Sequence, residues 1–285
     1  MTRPLKEPQR ILAPNPSPLT GPGTTTFLIG LRHVAVIDPG PDDAGHLAAI
    51  MQAGGGRISH IFVTHAHLDH SAGAGALSRM TGAPVFAFGR ADAGRSPIMQ
   101  QLAATGLVGG GEGVDHDFTP DHILRDDDDI TTPDWSLRAI HTPGHMGGHL
   151  GFAWEDQVFS GDLVMGWSSS IISPPEGDLA DYMRSLDRLA MLRPARLLPT
   201  HGDAVGPERI TELADHRRAR SAQILAALRE SPDTPAGLTR RIYDIPPHLF
   251  AAAERNVLAH LIALTTIGAA KPQENLHPKA MFHHL

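Results

Sequence analysis

The residue types able to do chemistry are concentrated in one stretch, Thr64-His65-Ala66-His67-Leu68-Asp69-His70. Four of the six residues from His65 to His70 are imidazole or carboxylate ligands for a metal ion. A lone histidine is usually an ordinary surface or core residue. A chance His-x-His-x-Asp-His, however, is expected in roughly one chain in two hundred of this composition, so the stretch is read as a site. Its flanks say how it is held. Residues 58–63 are β-branched and apolar, a buried strand. Residues 71–80, rich in Ala and Gly with Leu77 and Met80 apolar, read as a short helix. The ligand types therefore sit on a strand-to-helix turn. Side chains alternate along an extended chain, so His65 and His67 point the same way. Asp69 and His70 lie further round, where they can face a second ion.

The same pattern returns three times. Residues 135–140 alternate as a strand does, and His141-Thr142-Pro143-Gly144-His145 follows, with His149 a turn later. Val158-Phe159 runs into Ser160-Gly161-Asp162. Residues 196–198 run into Pro199-Thr200-His201-Gly202. Four strands thus deliver ligand types from their C-terminal ends. Asp38 closes another strand, 33–37, at Asp38-Pro39-Gly40. It either orients a ligand histidine from behind or caps the turn. His149 either touches substrate or supports the fold, and His141 reads as a strand residue. After Asp162, Trp167-Ser168-Ser169-Ser170 is a polar, aromatic loop whose hydroxyls, Ser169 among them, could hold a phosphate or carboxylate. The alternative is a structural loop leading to a helix at Asp178.

Further strands are expected at 24–29 and 84–88, and a helix at 43–53 stopped by Gly54-Gly55-Gly56. Residues 89–115 give no clear pattern. The acidic run 126–129 reads as a solvated turn. Pro4, Pro8, Pro14, Pro16, Pro18 and Pro22 mark 4–23 as an extended arm or surface loop. The chain has 285 residues, 41% of them hydrophobic, enough for one large domain and a small one. With no cysteine there is neither a disulfide framework nor a thiolate site. The net charge of −7 excludes a surface devoted to nucleic acid or anionic membrane. Residues 1–19 lack the apolar core of a secretory signal, and no window approaches a membrane span. The expectation is a cytoplasmic protein without membrane contact.

His-x-His-x-Asp-His, a His after Thr-Pro-Gly, Ser-Gly-Asp and a His before Gly, in this order over 24–202, resemble the metallo-β-lactamase superfamily. The resemblance implies an α/β fold, a four-layer αββα sandwich with its site at one edge of two sheets. It implies that His65, His67 and His145 hold one metal, that Asp69, His70 and His201 hold a second, and that Asp162 bridges them. Two Zn2+ ions are expected, with Mn or Fe as alternatives. Such ions, about 3.5–4 Å apart, would share a hydroxide that attacks a carbonyl or phosphorus. Asp162 as the bridge and Asp69 as a proton donor would be the catalytic carboxylates. A β-lactamase proper is disfavoured, because the second site has His where several such enzymes use Cys.

About 80 residues follow His201. Helices are expected from Gly206-Pro207 to about 229, from Thr234-Pro235, and from about Pro247 to Gly268. Residues 269–271 and 279–285 would form a small wing. This order, with Asp181-Tyr182-Met183 and Ser185-Leu186 upstream, resembles the β-lactamase-like endoribonucleases of the lactamase-beta-2 type. The domains expected are 1–206, catalytic, and 207–285, winged-helix-like. From Pro207 onward there are ten Lys or Arg against eight Asp or Glu. Arg217, Arg218, Arg220, Arg240 and Arg241 could meet phosphates or lie on ordinary solvated faces. The leading expectation is a two-zinc hydrolase of a phosphodiester, with single-stranded RNA as substrate. The alternatives are a thioester or lactone hydrolase resembling glyoxalase II, acting on a small ester, and an iron-dependent sulfur dioxygenase. A tail serving as a lid or homodimer surface is the competing role for 207–285.

Overall fold

Short runs of β-branched and aromatic residues, punctuated by Gly, Pro and Asp, dictate many brief strands, and in the computed structural model they pair into two main sheets. The structure describes residues 6–109 and 113–285. Its elements are β1 (Gln9–Leu12), β2 (Thr25–Ile29), β3 (Val34–Ile37), α1 (Ala44–Gly54), β4 (Ile58–Phe62), α2 (Leu68–Thr81), β5 (Val85–Ala87), α3 (Pro97–Ala104), β6 (His122–Ile123) and β7 (Asp129–Thr131). There follow β8 (Ser136–His141), β9 (Leu150–Trp154), β10 (Gln157–Gly161), α4 (Leu179–Leu192), β11 (Arg196–Pro199), α5 (Glu208–Glu230), α6 (Pro235–Ile242), α7 (Phe250–Thr266), β12 (Ala270–Pro272) and β13 (Phe282–His284). One sheet runs β1-β2-β3-β4-β5-β6 and the other β11-β10-β9-β8-β7. β3, β4, β5 and β6 are parallel. Helices α1 and α2 make the first two of those crossovers, as parallel pairing requires.

The alternation of side chains explains the layers. Leu28, Val34, Val36 and Ile61 face one way and meet Leu47 and Ile50 of α1 and Ala74 and Leu77 of α2. Their neighbours Phe27, Ile29, Ala35, Ile37 and Phe62 face the other way, onto Leu137, Ala139, Phe152, Phe159 and Leu198 of the second sheet. That sheet's far face, with Ile140, Val158 and Leu197, packs on Leu179, Tyr182 and Leu186 of α4 and on Ile210 and Leu213 of α5. The result is helix, sheet, sheet, helix. Phe62 meets Phe152 edge-on at 5.3 Å and Phe27 meets Phe159 at 5.1 Å. Such pairs add about 0.5–1.5 kcal/mol each beyond the area they bury, and they fix the two sheets at the edge where the site lies.

The tail forms three helices and the two-stranded β12–β13 hairpin. Its core joins Ile224, Leu228, Leu238, Val257, Leu261 and Phe282 with Met99 and Leu102 of α3. Helix α5 therefore serves both bodies. Its first half packs on the second sheet and its second half in the tail core.

Several local expectations are corrected. The proline-rich arm, of which Pro4 lies outside the described residues, contains an edge strand: β1 pairs antiparallel with β2. Helix α2 begins at Leu68 rather than Ser71, with His67 in the extended N-cap conformation. Part of the patternless span is helix α3, capped by the Ser96 hydroxyl accepting from the Met99 amide, with Pro97 first in the helix. Gly110, Gly111 and Glu112 of that span lie outside the described residues. The acidic run is the turn expected, with Asp126 and Asp127 paired to Arg188.

Candidate metal centre

The seven ligand types come together at the sheet edge. Among the described residues three groupings have ligand atoms within 4.8 Å of one another: His65, His67 and His145; His65, His70 and Asp162; and Asp69, His70 and His201. All seven residues are buried. His65 lies in a bend after β4, and His67 is the extended N-cap residue of α2. Asp69 and His70 occupy the first turn of α2, where the helix dipole favours the carboxylate. Asp162 follows β10 and His201 follows β11.

The hydrogen bonds behind the ligands decide which ring nitrogen faces inward. His70 Nδ1 donates to Asp38 Oδ2 at 3.0 Å, His145 Nδ1 to the Ile171 carbonyl at 2.8 Å, and His201 Nδ1 to the Gly23 carbonyl at 3.2 Å. Each turns Nε2 to the centre, where it is the nitrogen free to bind an ion. Thr64 Oγ1 gives its proton to Asp38 Oδ2 at 2.9 Å. It is then free to accept from His65 Nδ1 at 3.0 Å, which frees His65 Nε2 as well. Asp38 also accepts from the Thr64 amide at 2.7 Å and from Thr200 Oγ1 at 2.9 Å. It is wholly buried with φ +52. Of its two readings, the one that orients a ligand-type histidine matches this geometry.

The donor set fits cations. His65 Nε2 stands 2.9 Å from His67 Nδ1, and His145 Nε2 stands 3.1 Å from the same atom. One shared proton cannot satisfy three converging lone pairs, whereas an ion can. His70 Nε2 and Asp162 Oδ1 are buried without a hydrogen-bond partner. Charges tell the same story. Burial, reinforced by neighbouring imidazoles, drives His65 well below its ordinary pKa and takes His67 down to about 3. These two present neutral, metal-ready rings. Burial also disfavours a charged His201, but Asp162 and Asp69 outweigh it and push this residue up to about 10. His70 is raised likewise by Asp69, Asp162 and Asp38 against the burial penalty. Two carboxylates crowded together are balanced here by imidazolium protons, and a divalent cation takes the place of such protons.

Of the two readings of His149, the geometry matches the one in which it supports the fold. It is wholly buried, and its Nδ1 donates to Thr142 Oγ1 at 2.9 Å. Its Nε2 accepts from the Asp162 amide at 3.2 Å, so it fixes the backbone that carries Asp162. His141 stacks on Phe88 at 4.1 Å. Ser169 is half-buried, whereas Ser170 is buried, with Oγ 3.2 Å from His145 Nδ1. Trp167 is half-exposed. Gly21 and Gly202 lie flat enough for its ring that a Cβ would stand 3.3 and 2.9 Å from indole atoms. Reading the sequence missed Thr64, Thr200 and the carbonyls of Gly23 and Ile171. A Thr beside each of two ligands is a faint signal for the hydroxyls, and a carbonyl leaves none.

Known proteins share the family and the fold. The family model described as "Metallo-beta-lactamase superfamily" matches residues 19–201. The model described as "Beta-lactamase associated winged helix domain" matches residues 234–279. A beta-lactamase-like protein 2 homolog of Drosophila melanogaster is 30% identical over 275 residues, 91% of this chain and 88% of its own. An atrochrysone carboxyl ACP thioesterase of Claviceps purpurea is 28% identical over 228 residues, 77% of this chain and 64% of its own. In fold, the crystal structure of a metallo-beta-lactamase family protein from Thermus thermophilus superposes with a TM-score of 0.78 at 24% identity, covering 98% of both chains. No helix among the described residues is long and apolar enough to cross a membrane. The chain belongs to the metallo-beta-lactamase superfamily and carries a winged helix domain behind the lactamase fold.

Proposed function

We propose that this chain is a binuclear zinc hydrolase of thioesters or carboxylic esters. His65, His67 and His145 hold one ion, Asp69, His70 and His201 the other, and Asp162 joins them. The observation that carries the two-ion reading is the overlap of the groupings: His65, His70 and Asp162 draw members from both sides. A pair of cations held there supplies Lewis acidity, lowering the pKa of water to near neutrality and steadying charge on an attacked carbonyl oxygen. The chain's own groups do the rest. Asp162 offers one carboxylate oxygen to each side, with its backbone fixed by His149. Asp69 is held well below the usual carboxylate range by His70 and His201, against its burial. It is therefore an ionised, ligand-ready carboxylate; with ions bound it would be the group beside the nucleophilic water that passes a proton to the leaving group. Ser169 is the half-exposed hydroxyl assigned to substrate.

The ester reading rests on the tail. Of the arginines expected to meet phosphates Arg217 is buried, and the others each touch a carboxylate or an aromatic ring of the tail; one relative is named as an atrochrysone carboxyl ACP thioesterase. RNA phosphodiester hydrolysis is the second reading, favoured by the winged helix match. Metal analysis and a panel of acyl thioesters, lactones and single-stranded RNA test both. Two zinc per chain and thioester turnover are expected, with Asp162→Asn losing at least about a hundredfold in kcat while the fold is kept, as for other groups that steady charge. One iron per chain, or undiminished turnover by that variant, overturns the two-zinc mechanism. Cleavage of RNA alone moves the substrate to the second reading.

A further inference from the structure

The segment between Asp162 and α4, residues 163–178, has no regular secondary structure, yet it holds His145 in place. The Ile171 carbonyl fixes the His145 ring at 2.8 Å, and Ser170 Oγ lies 3.2 Å from the same nitrogen. Something must fix that carbonyl, and the grip comes from the C-terminal helices. Arg217 of α5 donates through Nη2 to the Ser170 carbonyl. Its Nη1 donates to Asn256 Oδ1 of α7 at 3.3 Å, and the same oxygen accepts from the Ile172 amide at 3.2 Å. The peptide that carries the Ile171 carbonyl, through its Ile172 amide, and the peptide before it, through the Ser170 carbonyl, are thus held by α5 and α7. Eight residues earlier on α5, about 12 Å along the axis, Arg209 donates to the carbonyls of Met165 at 2.9 Å and Ser168 at 3.0 Å. The segment is pinned from near Asp162 to behind His145.

Arg217 is an unusual choice for packing alone. It is only 3% exposed, and among the described residues no carboxylate pairs with it. Its guanidinium sits over the Tyr182 ring at 5.3 Å. A buried cation without a counter-ion is costly, and a long apolar side chain would fill the same space without that cost. What the apolar residue could not do is hold carbonyls at fixed points.

We infer that Arg217, with Asn256, is a positioning residue for the metal ligand His145, so that the C-terminal helices set the affinity of the ion site built from His65, His67 and His145. This rests on the two-ion reading above, with His145 as a ligand. Cobalt titration of the metal-free protein, followed by visible absorption, resolves the two binding steps. His145→Ala identifies the step belonging to that site. Arg217→Met is expected to weaken the same step about ten- to a hundredfold, the usual effect of losing a group behind a ligand, and to leave the other step within about threefold. Arg217→Lys, which keeps the charge and one donor, recovers part of the loss. If Arg217→Met does not fold, Asn256→Ala carries the test, with the same selective weakening expected. Two outcomes overturn the inference: unchanged steps in a folded Arg217→Met or Asn256→Ala, or equal loss in both steps with a lowered melting temperature, which marks a purely structural role. A His145→Ala protein that binds cobalt as the wild type does removes the ligand reading itself, and the inference with it.

Discussion

At the scale of single residues, Asp38 decides how the centre is held. Its Oδ1 accepts from the Thr64 amide, and its Oδ2 from the hydroxyls of Thr64 and Thr200 and from His70 Nδ1. Asparagine tolerates the left-handed backbone at this position, so Asp38→Asn isolates the hydrogen bonds. Its amide group must turn a donor toward either the Thr64 amide or the Oδ2 cluster, leaving buried donors unpaired at about 1–3 kcal/mol. The expected result is a urea midpoint lowered to match, and weaker metal binding through His70 and His65. Wild-type stability and metal affinity in that variant would show that Asp38 only shapes its turn. The clustering of the seven ligand types was legible because strand ends carried them in sequence. Of the groups behind them Asp38 was legible as a carboxylate at a strand end, whereas the carbonyls of Ile171 and Gly23 were not, being brought in by loops distant in sequence.

At the scale of elements, periodic segments were the readable ones and boundaries set by tertiary contacts were not. Helix α2 starts three residues early because the Leu68 amide finds the Gly113 carbonyl at 3.0 Å, a partner no local pattern announces. Strand β1 exists because β2 offers it an edge. Helix α3 did have its Ser96-Pro97 signature, but surrounding glycines masked the short apolar pattern behind it. The pairing of α5 with α7 carries a prediction about pH. His260 on α7 is buried, with Nδ1 2.8 Å from Ser221 Oγ of α5 and Nε2 unpartnered. Burial first, and then Arg217, Arg220 and His216, take its pKa down to about 3. Between that value and the 6.5 of an unfolded histidine, the unfolded chain binds a proton that the folded one refuses. Stability from this residue is therefore complete above about pH 6.5 and declines as pH falls toward 3, by about 2 kcal/mol at pH 5. His260→Gln should flatten that part of the profile in denaturant titrations across pH 5–7. An identical slope in wild type and variant would count against the assignment.

At the scale of the whole molecule, the question is whether the tail presents nucleic acid to the centre. The fold and its winged helix were readable from motif order, but the state of the tail arginines was not, because their partners come from other elements. Arg217 is buried. Arg218 pairs with Asp215 at 2.9 Å. Arg220 lies over Tyr243 at 3.9 Å and Arg240 over Phe250 at 5.2 Å. Arg241 pairs with Glu230 at 2.8 Å and donates to the Ala227 carbonyl at 2.9 Å. At Arg218 and Arg241 a phosphate would compete with these carboxylates, and the net charge of −7 opposes its approach. Each phosphate neutralised on a single strand steepens the log–log dependence of affinity on salt by about −0.7. The expected slope for single-stranded RNA is thus shallower than about −1, and Arg218→Glu with Arg240→Glu should leave both that slope and thioester turnover unchanged. A slope of about −3 or steeper that collapses in the double variant, with ester turnover intact, would mean that the exposed faces of these arginines bind phosphate despite their internal partners. The substrate would then be RNA, delivered to the same two-ion centre by the winged helix.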